Sequence, residues 1–398
     1  MLSDLYCIAL VVPNKENRFF TYAKFYAEML MKLGKKVVVL CPDFDEMEFT
    51  LRRNVPKFAD NMLCRPIDSE EFEDNKPSII NTIGRWNYVS KQIKLAEKGI
   101  GAKVEFVLFC PIDTMLRNSV NLSLLNWNFS YKWSGLYLNP EHYKLNQLKL
   151  NVDPKFSDPD YLFRSENCVG VCILDRFILD SVRSRVYKKV VVFPELSNLS
   201  LSDNGMHYSQ EIHKQARGRV IVGLLGVEKN EGILALIRLI KLVDEEKYFF
   251  VFAGKIDMSE FDETQREEID SFIQLNQDNA LFIIKELSEE EINTLYKSID
   301  IGYLYFYNYI SSNHMLTKAA HFNKPVLANK NYCVGQTVKQ FKIGLSVNGK
   351  IEESVQALEF MSLDRMSFSI FDKSNFEKYT ELQNEDYLEM AFEQITQF

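Results

Sequence analysis

Short apolar runs alternate with helix-period segments along most of this chain. Residues 5–12 form an apolar run closed by Pro13-Asn14, and residues 37–40 form a second, closed by Cys41-Pro42. Between them Phe19, Tyr22, Ala23, Tyr26, Met29, Leu30 and Leu33 recur at helical spacing, and Gly34 is placed to cap that helix. Residues 78–83 and 104–109 read as strands with a helix over 86–98 between them. Residues 169–174, 175–185 and 189–193 then repeat strand, helix and strand up to Pro194. Residues 197–217 turn polar and lose periodicity, which marks a connection. A second alternation starts at Arg219, with strands over 220–225, 248–253 and 280–284 and helices over 231–243 and 258–276. Another helix opens at Ser288, whose S-x-x-E spacing with Glu291 is a capping box. Helices over 352–361 and 385–398 follow later in the chain.

Short buried strands joined by helices imply parallel pairing, with helices on both faces of each sheet. The pattern therefore predicts an α/β chain of two Rossmann-like, doubly wound domains facing a cleft. Their expected bounds are 1–200 and 219–370, with a linker over 201–218 and helices in 371–398 packing back toward the first domain. In each, the strand carboxyl ends should carry the ligand loops.

Residues 295–347 show this grammar most completely. An apolar run over 299–306 ends in a polar turn holding Asn308, Ser311, Ser312 and Asn313. A helix over 314–322 follows, and Lys324-Pro325 opens the run Val326-Leu327-Ala328. Ser311, Ser312 or Asn313 is placed to cap the helix, leaving amides and the positive dipole end toward the cleft, a setting that favours phosphate or diphosphate. The same residues also suit an ordinary cap with no ligand.

Composition narrows the classes. At 398 residues, 46% hydrophobic and 26% charged, the chain can bury a sizeable core. A net charge of −8 argues against nucleic acid as partner. Residues 1–200 carry 27 basic and 24 acidic side chains and the remainder 20 and 31, so the first half is the better suited to an anionic surface. Seven scattered cysteines without a C-x-x-C pair read as reduced buried thiols. Asp4 and the absence of a basic region before an apolar segment speak against a signal peptide, and no run reaches about 18 apolar residues. A cytoplasmic location is expected. Asp43-Phe44-Asp45 and Asp158-Pro159-Asp160 match a short acidic metal pattern, but both sit in turn-like surroundings and no metal site is assigned.

From residue 220 to 347 the sequence resembles the C-terminal domain of GT-B glycosyltransferases, most like the retaining family GT4. VIVGLLGVEKNEG resembles that family's glycine-then-lysine loop, and YFFVFAG its second strand and glycine. LFIIKELSEEEINTLYKSIDIGYL, KAAHFNKPVLAN and GQTVKQFKIGLSV resemble its later strands and helices, in the expected order. In the first domain only the layout matches, with KKVVVL, IIN and VVVFPELSN falling where family strands fall. The resemblance implies sugar transfer from a nucleotide-sugar co-substrate, with retention and without metal or cofactor, to a glycan or lipid-linked acceptor, as in polysaccharide biosynthesis. It also implies stabilising the charge that develops on a leaving diphosphate. Lys229 matches the family lysine, and Gly223 the glycine that lets backbone approach the ligand. Two departures are plain. The family arginine after the glycine is Leu224, and the E-x7-E motif is absent, its positions holding Ile310 and Lys318. A lysine cannot accept the ribose hydrogen bonds that the second glutamate takes. Lys318 is then either a second cation for the diphosphate or a solvated helix-face lysine. Ser311, Ser312, Asn313 and His314 become the polar contacts to donor sugar or phosphate.

The first domain should hold the acceptor. Its first loop offers Asn14, Glu16 and Asn17, and the loop after 104–109 offers Asp113. The aromatic stretch 121–138 suits sugar stacking, a lipid carrier or a membrane interface, or equally a packed connection. A weak peripheral membrane contact through the N-terminal domain is accordingly among the expectations. Two rival readings are a catalytically silent relative that binds nucleotide or a partner protein, favoured by the lost arginine and glutamate, and a nucleotide-sugar epimerase. The epimerase would need paired acid/base carboxylates and a histidine near the cleft, which the sequence does not offer.

Overall fold

The computed structural model describes residues 6–73, 79–116, 120–140, 142–143, 158, 160–203, 205–226, 232–275, 277–305, 313–363 and 370–396. The chain divides into two compact units, Met1–Leu196 with Asn384–Phe398, and Ser197–Gln383.

In chain order the first unit holds β1 (Tyr6–Val11), α1 (Asn17–Lys32), β2 (Lys36–Cys41), α2 (Phe44–Asn54), β3 (Met62–Pro66) and α3 (Ile79–Ile100). It continues with β4 (Lys103–Phe109), α4 (Leu122–Asn128), β5 (Lys132–Tyr137), β6 (Gly170–Ile173), α5 (Leu179–Val186) and β7 (Lys189–Val192). The strands form one parallel sheet in the order β3-β2-β1-β4-β5-β6-β7. Its central strands are buried on both faces, as their unbroken Val, Ile and Leu runs require.

Of the stretch 78–83, expected as a strand, residues 79–83 instead form the first turns of α3. Thr82, Trp86, Val89, Ile93 and Ala96 are buried at spacings of three and four, a helical stripe rather than a two-residue alternation. Strands β3 and β5 were not legible as such. The aromatic stretch over 121–138 is mostly core: Phe129 and Trp133 pack on Trp86 with ring centroids 5.0 and 4.9 Å apart, while Trp127 stays 80% exposed. All seven cysteines are buried thiols.

The second unit holds α6 (Met206–Ala216), β8 (Val220–Leu225), α7 (Ile233–Ile240), β9 (Tyr248–Ala253), α8 (Glu263–Gln274), β10 (Ala280–Ile283), α9 (Glu289–Ser298) and β11 (Ile301–Leu304). It ends with α10 (His314–His321), β12 (Val326–Asn329), α11 (Cys333–Phe341), β13 (Gly344–Val347), α12 (Ile351–Ser362) and α13 (Lys373–Thr380). Its parallel sheet runs β10-β9-β8-β11-β12-β13.

The polar stretch read as a linker differs from that reading. It contains α6, whose Ile212 and Ala216 are buried in the second core. Just before it, residues 198–202 are bound along α9 by side chains. Asn293 Nδ2 donates to the carbonyls of Asn198 and Ser200 at 2.9 and 2.7 Å, and Thr294 Oγ1 to Ser202 at 3.2 Å. Of the segment 371–398, α13 belongs to the second unit. The last helix, α14 (Glu385–Thr396), belongs to the first, where Phe392 packs edge-on to Tyr26 and Phe193 at 5.5 and 5.3 Å.

Candidate functional site

In each sheet the winding direction reverses once, between β1 and β4 in the first unit and between β8 and β11 in the second. At such a point the loops leaving neighbouring strands diverge, and a crevice opens outside the carboxyl ends. The two crevices are therefore where the candidate residues are best tested.

In the second unit β8 ends at Leu225 and the chain turns at Gly226, whose φ of 67° lies in the left-handed region and whose amide donates to the Ala253 carbonyl at 2.7 Å. A Cβ at Gly226 would lie 2.6 Å from Met315 Cε and 2.9 Å from Ile292 Cδ1. The absent side chain thus lets the end of β8 close onto the first turns of α9 and α10. Gly223, expected to give backbone access to a ligand, instead sits inside β8. Its bare Cα makes room for Ile299, 2.8 Å from where a Cβ would stand, which is a packing role. Leu224 is buried completely in the core.

Asn313 caps α10. Its Oδ1 accepts from the Met315 amide at 2.8 Å, and its carbonyl accepts from the Leu316 amide at 3.0 Å. Two amides expected to be open to a ligand are therefore already occupied, and the positive dipole end is what remains to attract an anion. His314 follows, half-buried, with Nε2 3.9 Å from Glu289 Oε1. Lys229, Ser311 and Ser312 lie outside the described residues.

Lys318 is neither of the things its sequence setting suggested. It is 0% exposed. Its ammonium donates to the Asn198 carbonyl at 3.0 Å and Asn293 Oδ1 at 2.6 Å and pairs with Glu289. An ammonium has three N–H groups, so these partners match its full donor capacity. Lys318 thus ties α10 to α9 and to the segment before α6, and its charge is answered inside the unit. Glu289 and Asn293 were missed by sequence reading. The only available signal was the run of three glutamates after Ser288, which looks like dipole compensation in a first helical turn.

In the first unit β1 leads through Pro13, Asn14 and Lys15 to α1, which Asn17 opens. Asn14 is half-buried and Glu16 exposed. Glu16 accepts from Arg18 Nε at 3.1 Å. The loop after β4 brings in Asp113, whose Oδ2 accepts from the Leu138 amide at 3.0 Å and whose Oδ1 accepts from the Asn139 amide at 2.7 Å. Asp113 thereby fixes the end of β5 against the end of β4. Burial pushes its carboxyl up to about 6, against the pull of the backbone amides and of the Arg18 charge. Glu195, which sequence reading did not single out, is buried after β7 and accepts from the Tyr22 hydroxyl.

Because the folded-state value of Asp113 exceeds the ordinary 3.8, the folded chain binds more protons than the unfolded one between about pH 4 and pH 6. The stability contributed by this group is full below that window and declines as pH rises through it. Unfolding measured across the window should show this slope, and Asp113→Asn should remove it. A carboxyl resonance titrating at the ordinary value would contradict the assignment.

Of the two acidic patterns, Asp43 and Asp45 lie at the start of α2, and Asp158 and Asp160 are held in ion pairs. Asp158 pairs with Arg164 and Arg185 at 2.9 and 3.0 Å, and Asp160 Oδ2 accepts from Tyr143 at 2.7 Å and Arg185 at 2.8 Å. Among the described residues no group of three His, Cys, Asp or Glu is arranged to hold a metal ion. Nor, among them, is any helix long and apolar enough to cross a membrane.

No protein-family model matches the sequence, and no curated protein matches it significantly. Solved structures do match, over nearly the full length. A glycosyltransferase from Rickettsia africae ESF-5 superposes with a TM-score of 0.64 at 13% identity, covering 99% of both chains. Sucrose-phosphate synthase from Thermosynechococcus elongatus gives 0.65 at 13% identity over 98% of each, and Anabaena HepE, solved with UDP, 0.64 at 11% over 98% of each. The chain has the GT-B fold. At these identities the likeness establishes the architecture, two Rossmann-like units with sheets of seven and six parallel strands. In GT-B terms, Gly226, Glu289, Asn313 and His314 belong to the C-terminal unit, and Asn14, Glu16 and Asp113 to the N-terminal one.

Proposed function

We propose that this GT-B chain transfers a sugar, of hexosyl type, from a nucleotide-sugar donor to a glycan or lipid-linked acceptor in polysaccharide biosynthesis. The transfer proceeds with retention, as in family GT4, and uses neither metal nor cofactor. The observation that carries the reading is the β8/β11 crevice, where a glycine turn and the positive end of α10 meet. It occurs on a fold shared end to end with a structure solved with UDP and, separately, with UDP-glucose. Such a crevice favours a diphosphate and the charge that grows on it as the glycosidic bond breaks. Lys229 supplies the cation, Ser311, Ser312 and His314 the polar contacts to donor sugar or phosphate, and Asn14, Glu16, Asn17 and Asp113 the acceptor side. The chain acts in the cytoplasm, against a membrane surface when the acceptor is lipid-linked.

A second reading has its own support. Leu224 is a core residue where the resemblance calls for arginine, and the Lys318 charge is satisfied internally. Together these leave a nucleotide-binding unit with less transition-state stabilisation than transfer needs.

Calorimetry with UDP and GDP, followed by donor-hydrolysis assays, separates the two. The transferase reading expects nucleotide binding with turnover. Lys229→Ala should weaken nucleotide binding by about tenfold to a hundredfold, the range for a lost charge-assisted contact of roughly 1.5–3 kcal/mol. Binding without turnover supports the silent relative, and binding of neither nucleotide overturns both.

A further inference from the structure

We propose that the first unit carries a second ligand site on the opposite, amino edge of its sheet, for a phosphate-bearing small molecule or headgroup. A cavity of about 750 Å³ opens there, lined by Lys94, Glu97, Lys98, Lys103, Ser130 and Tyr131 among others. Its volume falls in the range of small-molecule sites.

The charges in it are unbalanced. Lys94 and Lys98 stand one turn apart on the same face of α3, and Lys103 is the exposed first residue of β4. None of the three forms an ion pair among the described residues. The one carboxylate in the lining, Glu97, is turned toward the sheet instead: its Oε1 accepts from the Val104 amide at 2.9 Å, and its Oε2 from the Tyr131 hydroxyl at 3.4 Å. Three ammonium groups and one carboxylate leave two net positive charges facing one cavity.

Compensation of the helix dipole accounts for Lys98, which lies in the last turn of α3. It does not account for Lys94, a turn earlier, or for Lys103 on the strand. Like charges at i and i+4 repel, so the pair gains from an anion between them. Gly101, seven residues beyond Lys94, places no side chain in the opening. Ser130 adds a hydroxyl, and the Tyr131 ring, whose own hydroxyl is taken by Glu97, adds an apolar wall. A compact multi-oxygen dianion matches this set, and a phosphate monoester is the commonest chemistry of that kind. The exposed Trp127, three residues before Ser130, makes a lipid headgroup one source and a soluble phosphate ester the other.

Lysine acylation of the full chain, read by mass spectrometry at matched ionic strength, tests the site residue by residue. The probes are glycerol 3-phosphate and, separately, phosphatidylcholine vesicles containing phosphatidic acid, whose headgroup is itself a phosphate monoester. At a probe concentration about ten times Kd, the reactive fraction of Lys94, Lys98 and Lys103 should fall to roughly one-tenth. Lys57, exposed elsewhere on the unit, should be unaffected. The Lys94→Gln, Lys98→Gln double variant should lose protection at Lys103 while unfolding like the parent. Protection by glycerol 3-phosphate assigns a soluble ligand, and protection by vesicles alone assigns a headgroup. Absence of protection with both probes, or equal protection of Lys57, overturns the proposal. Because the readout is local to the amino edge, it is independent of nucleotide binding at β8/β11.

Discussion

Lys318→Met should destabilise the second unit by about 3 kcal/mol, because a buried ammonium with matched partners leaves those partners stranded when it goes. Methionine fills similar volume, so the loss is not a cavity effect. What remains is an Asn293 Oδ1 without its donor, a Glu289 carboxylate without the Lys318 cation, and an Asn198 carbonyl left with the Asn293 amide alone. Glu289 keeps part of its exposure, so water recovers some of its share, and the buried Asn293 Oδ1 dominates the cost. Denaturant unfolding of the full chain, followed by a probe in the second unit, measures it. Lys318→Glu should be worse still, setting a buried carboxylate beside Glu289, and adding Glu289→Lys should recover part of the loss. If Lys318 instead held a ligand phosphate, Lys318→Met would weaken nucleotide binding and leave unfolding unchanged.

Gly335→Ala is the second large effect expected, a loss of roughly 3 kcal/mol from overpacking that cannot relax locally. Gly335 lies in the first turn of α11. A Cβ there would stand 1.9 Å from the Asn329 carbonyl oxygen and 2.8 Å from Lys330 Cα, both backbone atoms. Side chains can rotate away from a new methyl, but here the helix itself must move off the end of β12. The unfolding midpoint of the second unit should drop while that of the first holds. An unchanged midpoint would mean that α11 stands farther from β12 than described.

These two cases also show what the sequence disclosed. The β8–β13 alternation was legible because its strands are short, continuous apolar runs and its helices carry strong periodic faces. The Ser288–Glu291 capping box was read correctly and is present with both of its hydrogen bonds. Residues 78–83 misled because apolar residues close in sequence suit a strand until the downstream spacing of Trp86, Val89 and Ile93 is counted with them. Strand β5 hid among aromatics, since its Gly135 and Ser134 look like turn residues. Gly135 is small because Ile112 fills the space beside it, 2.3 Å from where a Cβ would be. The polar segment before α6 looked like a free linker because its partners, Asn293 and Thr294, lie more than ninety residues onward.

The candidate site divides the same way. Asp113 follows the end of β4 and Asn313 opens α10, where their local sequence places them. Side chains whose roles depend on distant partners did not declare themselves. Nothing local to Lys318 shows that its ammonium is buried against α9, and nothing local to Gly223 separates a packing glycine from a ligand-facing one. The glycine at the strand end, Gly226, stood three residues further on.

The carboxyl end of β8, with the first turn of α10, is expected to hold a nucleoside diphosphate. Amide hydrogen exchange of the full chain with and without saturating UDP or GDP tests it most directly. Slower exchange confined to peptides around Leu225-Gly226 and Asn313–Lys318 is the predicted result. A nucleotide that binds but leaves both segments unchanged, protecting another part of the chain, would contradict it.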